Sequence, residues 1–421
     1  MTTYNSVSNG SKHKQIYKCG WLWQTGYYAK TKQKGGRGMR EGWIEKRFDE
    51  VFSLQMGKTP DRKNKAFFEG TNTWVSIKDL GDKYISSSHE CISDEAATNI
   101  SIVKKGTVIM SFKLTVGKCA IAAKDLYTNE AIMAFNTKDG YEINSSFLYY
   151  YLKGYKWNGA NKAVMGLTLN KAIISKHNLS IPPLSTQLSI VSELDKINEL
   201  IRLKKEQLKD YDNLAQSIFY EMFGDPVVNE KGWEVKKIGE VCLIERGGSP
   251  RPIKDYITED EDGLNWIKIG DAQEGSIFIN STKEKIRKEG LKKTRMVHKG
   301  DFILSNSMSF GRPYIMGVDG CIHDGWLVLH DTNNTFNKLY LYYSLAHKSM
   351  YQQFKQMAVG GVVNNLNSEM VRRVLVLVPP LTVQQEFANR IELIEMQKKQ
   401  IISTIQDLET LLASRMQYWF D

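Results

Sequence analysis

Two stretches of the chain repeat hydrophobic residues in alternating steps of three and four. The first comprises Leu194, Ile197, Ile201, Leu208, Tyr211, Ala215, Ile218 and Met222. The second lies 197 residues later and comprises Ile391, Ile394, Ile405, Leu408 and Leu412, with Ile401 opposite Lys204 and with Lys398, Arg415 and Trp419 at the remaining register positions. A seam recurring every 3.5 residues is that of a coiled coil. Neither Pro nor Gly interrupts 184–222 or the segment from Leu381 onward, and Gly224-Asp225-Pro226 stops the first run. Each stretch predicts a helix of about 40 residues, ~60 Å long, more than one small domain needs for its own core. A helix packed only on its own domain shows a broader apolar stripe, so the narrow seam predicts that the two helices pair with each other. The chain then runs along one helix, builds a domain at its far end and returns along the other. That makes the pair antiparallel, with a pseudo-two-fold axis between its ends.

Upstream of each helix, short alternating apolar runs predict strands: 73–77, 107–112, 119–122 and 131–135, with counterparts at 265–269, 301–304 and 326–330. A helix is expected over 144–152 and again over 339–346. The two halves are copies. Gly42-Trp43 recurs as Gly232-Trp233 and Gly57-Lys58-Thr59-Pro60 as Gly247-Gly248-Ser249-Pro250, both at an offset of 190. Trp74 to Asp79 matches Trp266 to Asp271 at 192, and Val103 to Ser111 matches Val297 to Ser305 at 194, with Gly117 falling on Gly311. Ile181-Pro182-Pro183-Leu184, followed by Gln187, matches Val378-Pro379-Pro380-Leu381, followed by Gln384, at 197. An offset that drifts by a few residues is what surface loops of unequal length produce. The expected organisation is a basic tail (1–40), a first domain (41–183), a first spacer helix (184–223), a second domain (224–380) and a second spacer helix (381–421). The fold class is an α/β (α+β) tandem repeat, with two mixed strand-and-helix domains separated by a long antiparallel two-helix coiled coil.

Charge is informative through where it lies. Of a net +10, residues 1–40 supply eight Lys/Arg and no acid, so the remainder is nearly neutral. Within it, each spacer helix carries two more acids than bases and each domain more bases than acids. That division suits domains that touch phosphate and a rod that touches protein. The five cysteines (Cys19, Cys91, Cys119, Cys242, Cys321) are odd in number and scattered, which suggests a reducing cytoplasm and neither disulfides nor zinc. No run of about 18 apolar residues predicts a membrane span.

Two readers held a fixed distance apart about a two-fold axis match the symmetry of duplex DNA. Over 41–421, the order of domain, Pro-Pro-Leu helix, domain and Pro-Pro-Leu helix resembles the specificity subunits of type I restriction–modification systems. Trp43 with Gly57 to Pro60, the Trp74 to Asp79 strand, Gly300-Asp301 leading to Ser305, and Gly311-Arg312-Pro313-Tyr314-Ile315 carry the resemblance. It implies two target-recognition domains, each reading half of a split double-stranded DNA site, with the helices setting the gap. It implies that two methyltransferase (modification) subunits dock on the helices and that a motor–nuclease restriction subunit joins for cleavage. S-adenosylmethionine, ATP and Mg would belong to those partners, and this chain would be non-catalytic. Residues 1–40 depart from the pattern. Polar and basic residues in turns are the candidate DNA contacts: Lys58, Thr59, Lys63, Lys78, Ser111, Lys113, Lys118, Asn158, Asn161 and Lys162 in the first half. In the second they are Ser249, Arg251, Lys268, Asn306, Ser307, Arg312, Asn364 and Asn365. Arg, Asn and Ser can bond base edges, whereas Lys more often meets phosphate. The basic run from Lys283 to Lys299 is either a phosphate track or a solvated loop.

Competing chemistry is sparse. Gly57-Lys58-Thr59 lacks the Gly five residues earlier that a phosphate-binding loop requires, since Phe52 stands there. Ile181-Pro182-Pro183-Leu184 has the wrong flanking residues for an amino-methyltransferase box, and no His pair has metal spacing. Asp225 with Glu234-Val235-Lys236 imitates a nuclease carboxylate–lysine set, which leaves a self-contained DNA nuclease as one alternative. A coiled-coil scaffold whose domains bind protein is the other.

Overall fold

The computed structural model describes residues 40–157, 161–163, 166–273, 275–307, 310–358 and 366–420, with the backbone alone at 161–163 and 166–168. Each half builds the same five-stranded mixed sheet. In the first domain the order is Phe52–Met56, Ile132–Thr137, Val108–Ser111, Cys119–Ala122 and Tyr84–Ile85; in the second it is Cys242–Arg246, Trp326–Asp331, Phe302–Ser305, Pro313–Met316 and Phe278–Ile279. The central strands are buried on both faces, which is why they read as unbroken apolar runs. A second sheet lies beside each, built of three strands around Asn72–Val75 and of five around Leu264–Ile267.

The expected strand at 73–77 ends at Val75. Asp79 Oδ2 accepts the backbone N–H (2.7 Å) and hydroxyl (2.8 Å) of Ser76, starting a 3₁₀ turn over Ile77–Asp79. Asp271 takes the N–H of Lys268 in the same way in the second copy. The helices expected at 144–152 and 339–346 span Ser145–Gly154 and Lys338–Ala346, each capped by an asparagine side chain, Asn144 or Asn337. A further helix, Lys348–Ala358, buries Met350, Phe354 and Ala358 along one face.

Two 40-residue helices, Leu184–Phe223 and Leu381–Phe420, follow the Pro-Pro pairs. Gly224, at φ 75°, closes the first with its N–H on the Tyr220 carbonyl. The pair is antiparallel: Glu193 meets Arg415, Lys205 meets Glu409 (2.9 Å) and Asp212 meets Lys398 (2.8 Å), so partner numbers fall as residue numbers rise. Midway, Ile197, Ile201, Ile401 and Ile405 form a core of their own, flanked by Leu208, Tyr211, Leu408 and Leu412. Each buried isoleucine contributes about 1.5–3 kcal/mol, against roughly 0–1 for an exposed pair such as Lys205–Glu409. Apolar burial holds the helices together, and the ion pairs fix their register. Lys398 and Arg415, charged residues at seam positions, are accounted for by their carboxylate partners.

The rod ends are not free of the domains, as a purely separate spacer would be. Leu194 belongs to the core of the first domain. Ile391 and Ile394 belong to that of the second, with Ala215, Phe219 and Phe223 of the opposite helix, and Tyr211 and Ile218 pack against it. Leu412, Met416, Trp419 and Phe420 return to cover the first domain. Arg40 stacks on the rings of Tyr418 (4.6 Å) and Trp419 (5.2 Å) at the same end.

One polar residue per half ties helix to domain. Gln187 is buried; its Oε1 accepts the Asn144 N–H (2.8 Å) and its Nε2 donates to the carbonyls of Glu142 and Pro182 (3.0 Å each). Gln384 repeats this on Asn337 N–H (2.8 Å), Thr335 (3.1 Å) and Pro379 (2.8 Å). Replacing Gln187 by Leu leaves three backbone groups without this partner, the Pro182 carbonyl in a buried site and the other two in part-buried ones. We expect a loss of about 1–3 kcal/mol for each group left unpaired, read as a lower denaturation midpoint, with Gln384→Leu behaving alike.

Candidate nucleic-acid interface

The first long strand of each domain runs into a glycine turn that lies against the segment entering the fourth long strand. Gly57 and Gly247 have no room for a side chain, since a Cβ would come within 2.1 Å of the Thr128 carbonyl or 2.3 Å of that of His323. Lys58 N–H reaches the Thr128 carbonyl (2.9 Å) and the Trp74 indole donates to the Lys58 carbonyl (3.1 Å). Two residues on, a hydroxyl meets a carboxylate across the gap: Thr59 with Glu130, and Ser249 with Asp324 (2.8 Å). The duplication therefore extends to individual side-chain bonds of a turn that presents its outer atoms to solvent.

Around this turn the two domains carry different groups. In the first, Arg62 holds Glu90 with two bonds (2.5 and 3.0 Å) and lies over the rings of Phe68 (4.4 Å) and Trp74 (5.0 Å). Lys58, Lys63 and Lys78 stand exposed nearby in sequence. In the second, Asp324 gathers Ser249, Arg251 (3.8 Å) and the His323 Nε2 (2.9 Å), while its carbonyl accepts from Arg246 (3.0 Å). His323 Nδ1 accepts the Gly325 N–H (2.9 Å), which leaves Nε2 as the protonated nitrogen of a neutral ring. Burial chiefly pushes the His323 pKa below its ordinary value; Asp324 opposes this, and Lys268, Arg251 and Arg246 add to it. Those three cations thus share one electrostatic neighbourhood.

The expected contacts divide by exposure. Lys118 and Arg251 are exposed, like the three lysines above; Thr59, Lys113, Ser249, Lys268, Ser307 and Arg312 are half-buried. Lys268 is paired with Glu284. Ser111 and Asn306 do not face solvent as their turn positions suggested, being buried at 0% and 2% exposure. The Ser111 hydroxyl donates to the Thr115 carbonyl and accepts the Lys118 N–H (3.1 Å), and Asn306 Nδ2 donates to the Asp324 carbonyl (3.1 Å). Both shape turns from inside. Asn158, Asn364 and Asn365, with the side chains of Asn161 and Lys162, lie outside the described residues. Arg62, Arg246 and His323 were not among the expected contacts. Their one sequence signal is proximity to the repeated Gly-x-x-Pro turn, or, for His323, a place just before the fourth strand.

Nothing at the alternative carboxylates is arranged for hydrolysis. Asp225 accepts N–H groups of Val227 (2.8 Å) and Val228 (3.2 Å) and the Ser349 hydroxyl, as a turn residue does, and Glu234 pairs with its neighbour Lys236 (3.1 Å). Among the described residues no three of His, Cys, Asp and Glu are grouped to hold a metal, and no helix is long and apolar enough to cross a membrane. On the rod, Leu200, Leu203, Leu214, Leu393, Met396, Ile402 and Leu411 remain exposed.

Comparison with known proteins gives these features a context. The family described as the type I restriction modification DNA specificity domain matches residues 40–210 and again 230–409. A specificity subunit of the type I restriction enzyme MjaIX from Methanocaldococcus jannaschii is 28% identical over 267 residues, covering 56% of this chain and 61% of that protein. A putative type I restriction enzyme specificity subunit from Haemophilus influenzae is 23% identical over 365 residues, 83% of this chain and 87% of its own length. A solved structure described as the basis of complex assembly and conformational transition of the type I R-M system aligns with a TM-score of 0.63 at 18% identity, covering 91% of this chain and 99% of its own.

The His323 environment makes a testable statement. Its ring should titrate below the ordinary value of about 6.5, and Asp324→Asn should lower it further, because the carboxylate favours the charged ring. A histidine depressed in the folded state stabilises above its unfolded pKa, and that contribution is lost as pH falls through the folded pKa. Ring-proton NMR across pH 4 to 8, on both proteins, reads the direction.

Proposed function

We propose that this chain, which belongs to the type I restriction modification DNA specificity domain family, is the DNA-reading subunit of a type I restriction–modification complex. One observation carries the reading: two copies of a single recognition turn, differing in their outward side chains, sit in domains joined by an antiparallel helix pair. Such an arrangement reads a split double-stranded site, one half per domain, with a gap set by the rod. The cationic residues around each turn (Lys58, Arg62, Lys63 and Lys78; Arg246, Arg251 and Lys268) supply phosphate and base-edge contacts.

The chain is non-catalytic in this reading. The exposed apolar residues of the rod, Leu214 and Leu411 at equivalent positions among them, receive two methyltransferase subunits, and a motor–nuclease subunit joins the assembly for cleavage. S-adenosylmethionine, ATP and Mg are held by those partners.

Exchange of residues 41–183 for the corresponding domain of a relative tests this. Methylome sequencing of a host carrying the system should show one half of the methylated motif changed and the other retained; a change in both halves, or no dependence on DNA sequence at all, sinks it. Four extra residues in the middle of each long helix add ~6 Å of rod, and the gap between half-sites should lengthen accordingly.

A further inference from the structure

From strands Glu90–Ile92 and Glu284–Ile286 to strands Val108–Ser111 and Phe302–Ser305 the two domains keep one offset, so residues 93–101 and 287–295 correspond position by position. In the first domain this segment reads Ser-Asp-Glu-Ala-Ala-Thr-Asn-Ile-Ser, with two acids and no base. In the second it reads Arg-Lys-Glu-Gly-Leu-Lys-Lys-Thr-Arg, with five bases and one acid. The same place in one fold has reversed its charge.

That place adjoins the recognition turn. A Cβ on Gly248 would lie 2.5 Å from the Lys293 carbonyl, and one on Gly290 would be 3.3 Å from the Pro250 ring. Lys293 Nζ donates to the Tyr256 hydroxyl (2.9 Å) and the Arg251 carbonyl (3.5 Å), and Arg295 donates to the Arg246 carbonyl (3.3 Å) while pairing with Glu245 (2.9 Å). The segment then continues as Arg295–Val297, an added strand at one edge of the second sheet, where the first domain has a single bridge, Val103 to Leu126. Not every base is available: Asp262 takes Lys288 (2.8 Å), and Lys285 donates to the carbonyl of Glu261 (2.9 Å). Arg287 and Lys292 remain, exposed and without an ion pair among the described residues.

We propose that Arg287, Lys292 and Lys293 form a second DNA contact, present in the second domain alone. It takes the phosphodiester backbone of the duplex that flanks the second half-site. Lysines and an arginine on a solvent-facing segment offer charge without the enclosed geometry that reads a base edge, so the contact is independent of sequence. The segment borders the core around Trp266 and Ile286, which among the described residues contains none from the rod, whereas the rod packs on the core of the other sheet; the bound phosphates therefore lie on the side of the half-site away from the gap. The footprint of the subunit on DNA is therefore lopsided, longer beyond the second half-site than beyond the first. The proposal rests on the reading of the chain as a DNA-binding specificity subunit.

Equilibrium binding to duplexes carrying the methylated motif, trimmed on one flank or the other, tests it. The full chain is used in complex with its methyltransferase subunits. Trimming beyond the second half-site should weaken binding by the wild type, and trimming beyond the first should not. An R287E/K292E variant should bind untrimmed DNA more weakly than the wild type does, and should lose less on trimming. Two lost phosphate contacts should also make the drop in affinity between 50 and 200 mM salt about ten-fold smaller, at ~0.9 of log–log slope per contact. Specific binding with no difference between flanks would overturn this proposal and leave the specificity-subunit reading standing, as would a variant that fails only to hold the methyltransferases. No preference for the motif in any duplex would overturn that reading itself.

Discussion

Everything in this molecule depends on the fact that each long helix is part of three cores. It leaves one domain, pairs with its twin through four isoleucines, and enters the other domain as part of its packing. The midsection Ile197, Ile201, Ile401 and Ile405 is a small apolar cluster, and alone it would hold two helices only modestly. What makes the rod a fixed spacer is that its ends are buried too, with Phe219 and Phe223 in the second domain and Phe387 beside them. A hinge where either helix meets the second domain would have to expose those rings. Gln187 and Gln384 then fix the angle at which each helix leaves, because a buried amide with three backbone partners tolerates little rotation.

Much of this was legible in the chain, for identifiable reasons. The helices were readable because 40 residues without Pro or Gly leave the backbone one economical choice, and the duplication was readable because both halves keep the same glycines and prolines where the backbone demands them. The long central strands showed as apolar runs since they are buried on both faces. The edge strands Phe52–Met56 and Cys242–Arg246 escaped, because they alternate inward and outward over only five residues. The helix Lys348–Ala358 carried a clear spacing in Met350, Phe354 and Ala358 but sits in a polar segment.

At the candidate interface the sequence spoke less clearly, because polar residue type does not separate a side chain that faces solvent from one that folds inward. Ser111 and Ser305 occupy equivalent places and bond their own turns, and Asn306 is spent on the Asp324 carbonyl. The informative residues were the ones that changed between the copies. Thr59 with Glu130 became Ser249 with Asp324, preserving the bond, whereas Asp61 and Asn129 became Arg251 and His323, altering the face. A tandem repeat supplies its own control: what both copies keep is scaffold, and what they vary is free to serve recognition.

The ring of Phe420 lies 5.9 Å from Phe147 and 5.6 Å from Tyr151, so the last turn of the second helix completes the packing of the domain that is synthesised first. During translation, that domain is complete by about residue 183 but waits until Phe420 for its final apolar cover, while the second domain finds its covering helices much sooner. The later-made half therefore reaches its finished packing first, and the earlier one holds an uncovered aromatic face in the interval, where chaperones or premature association would act.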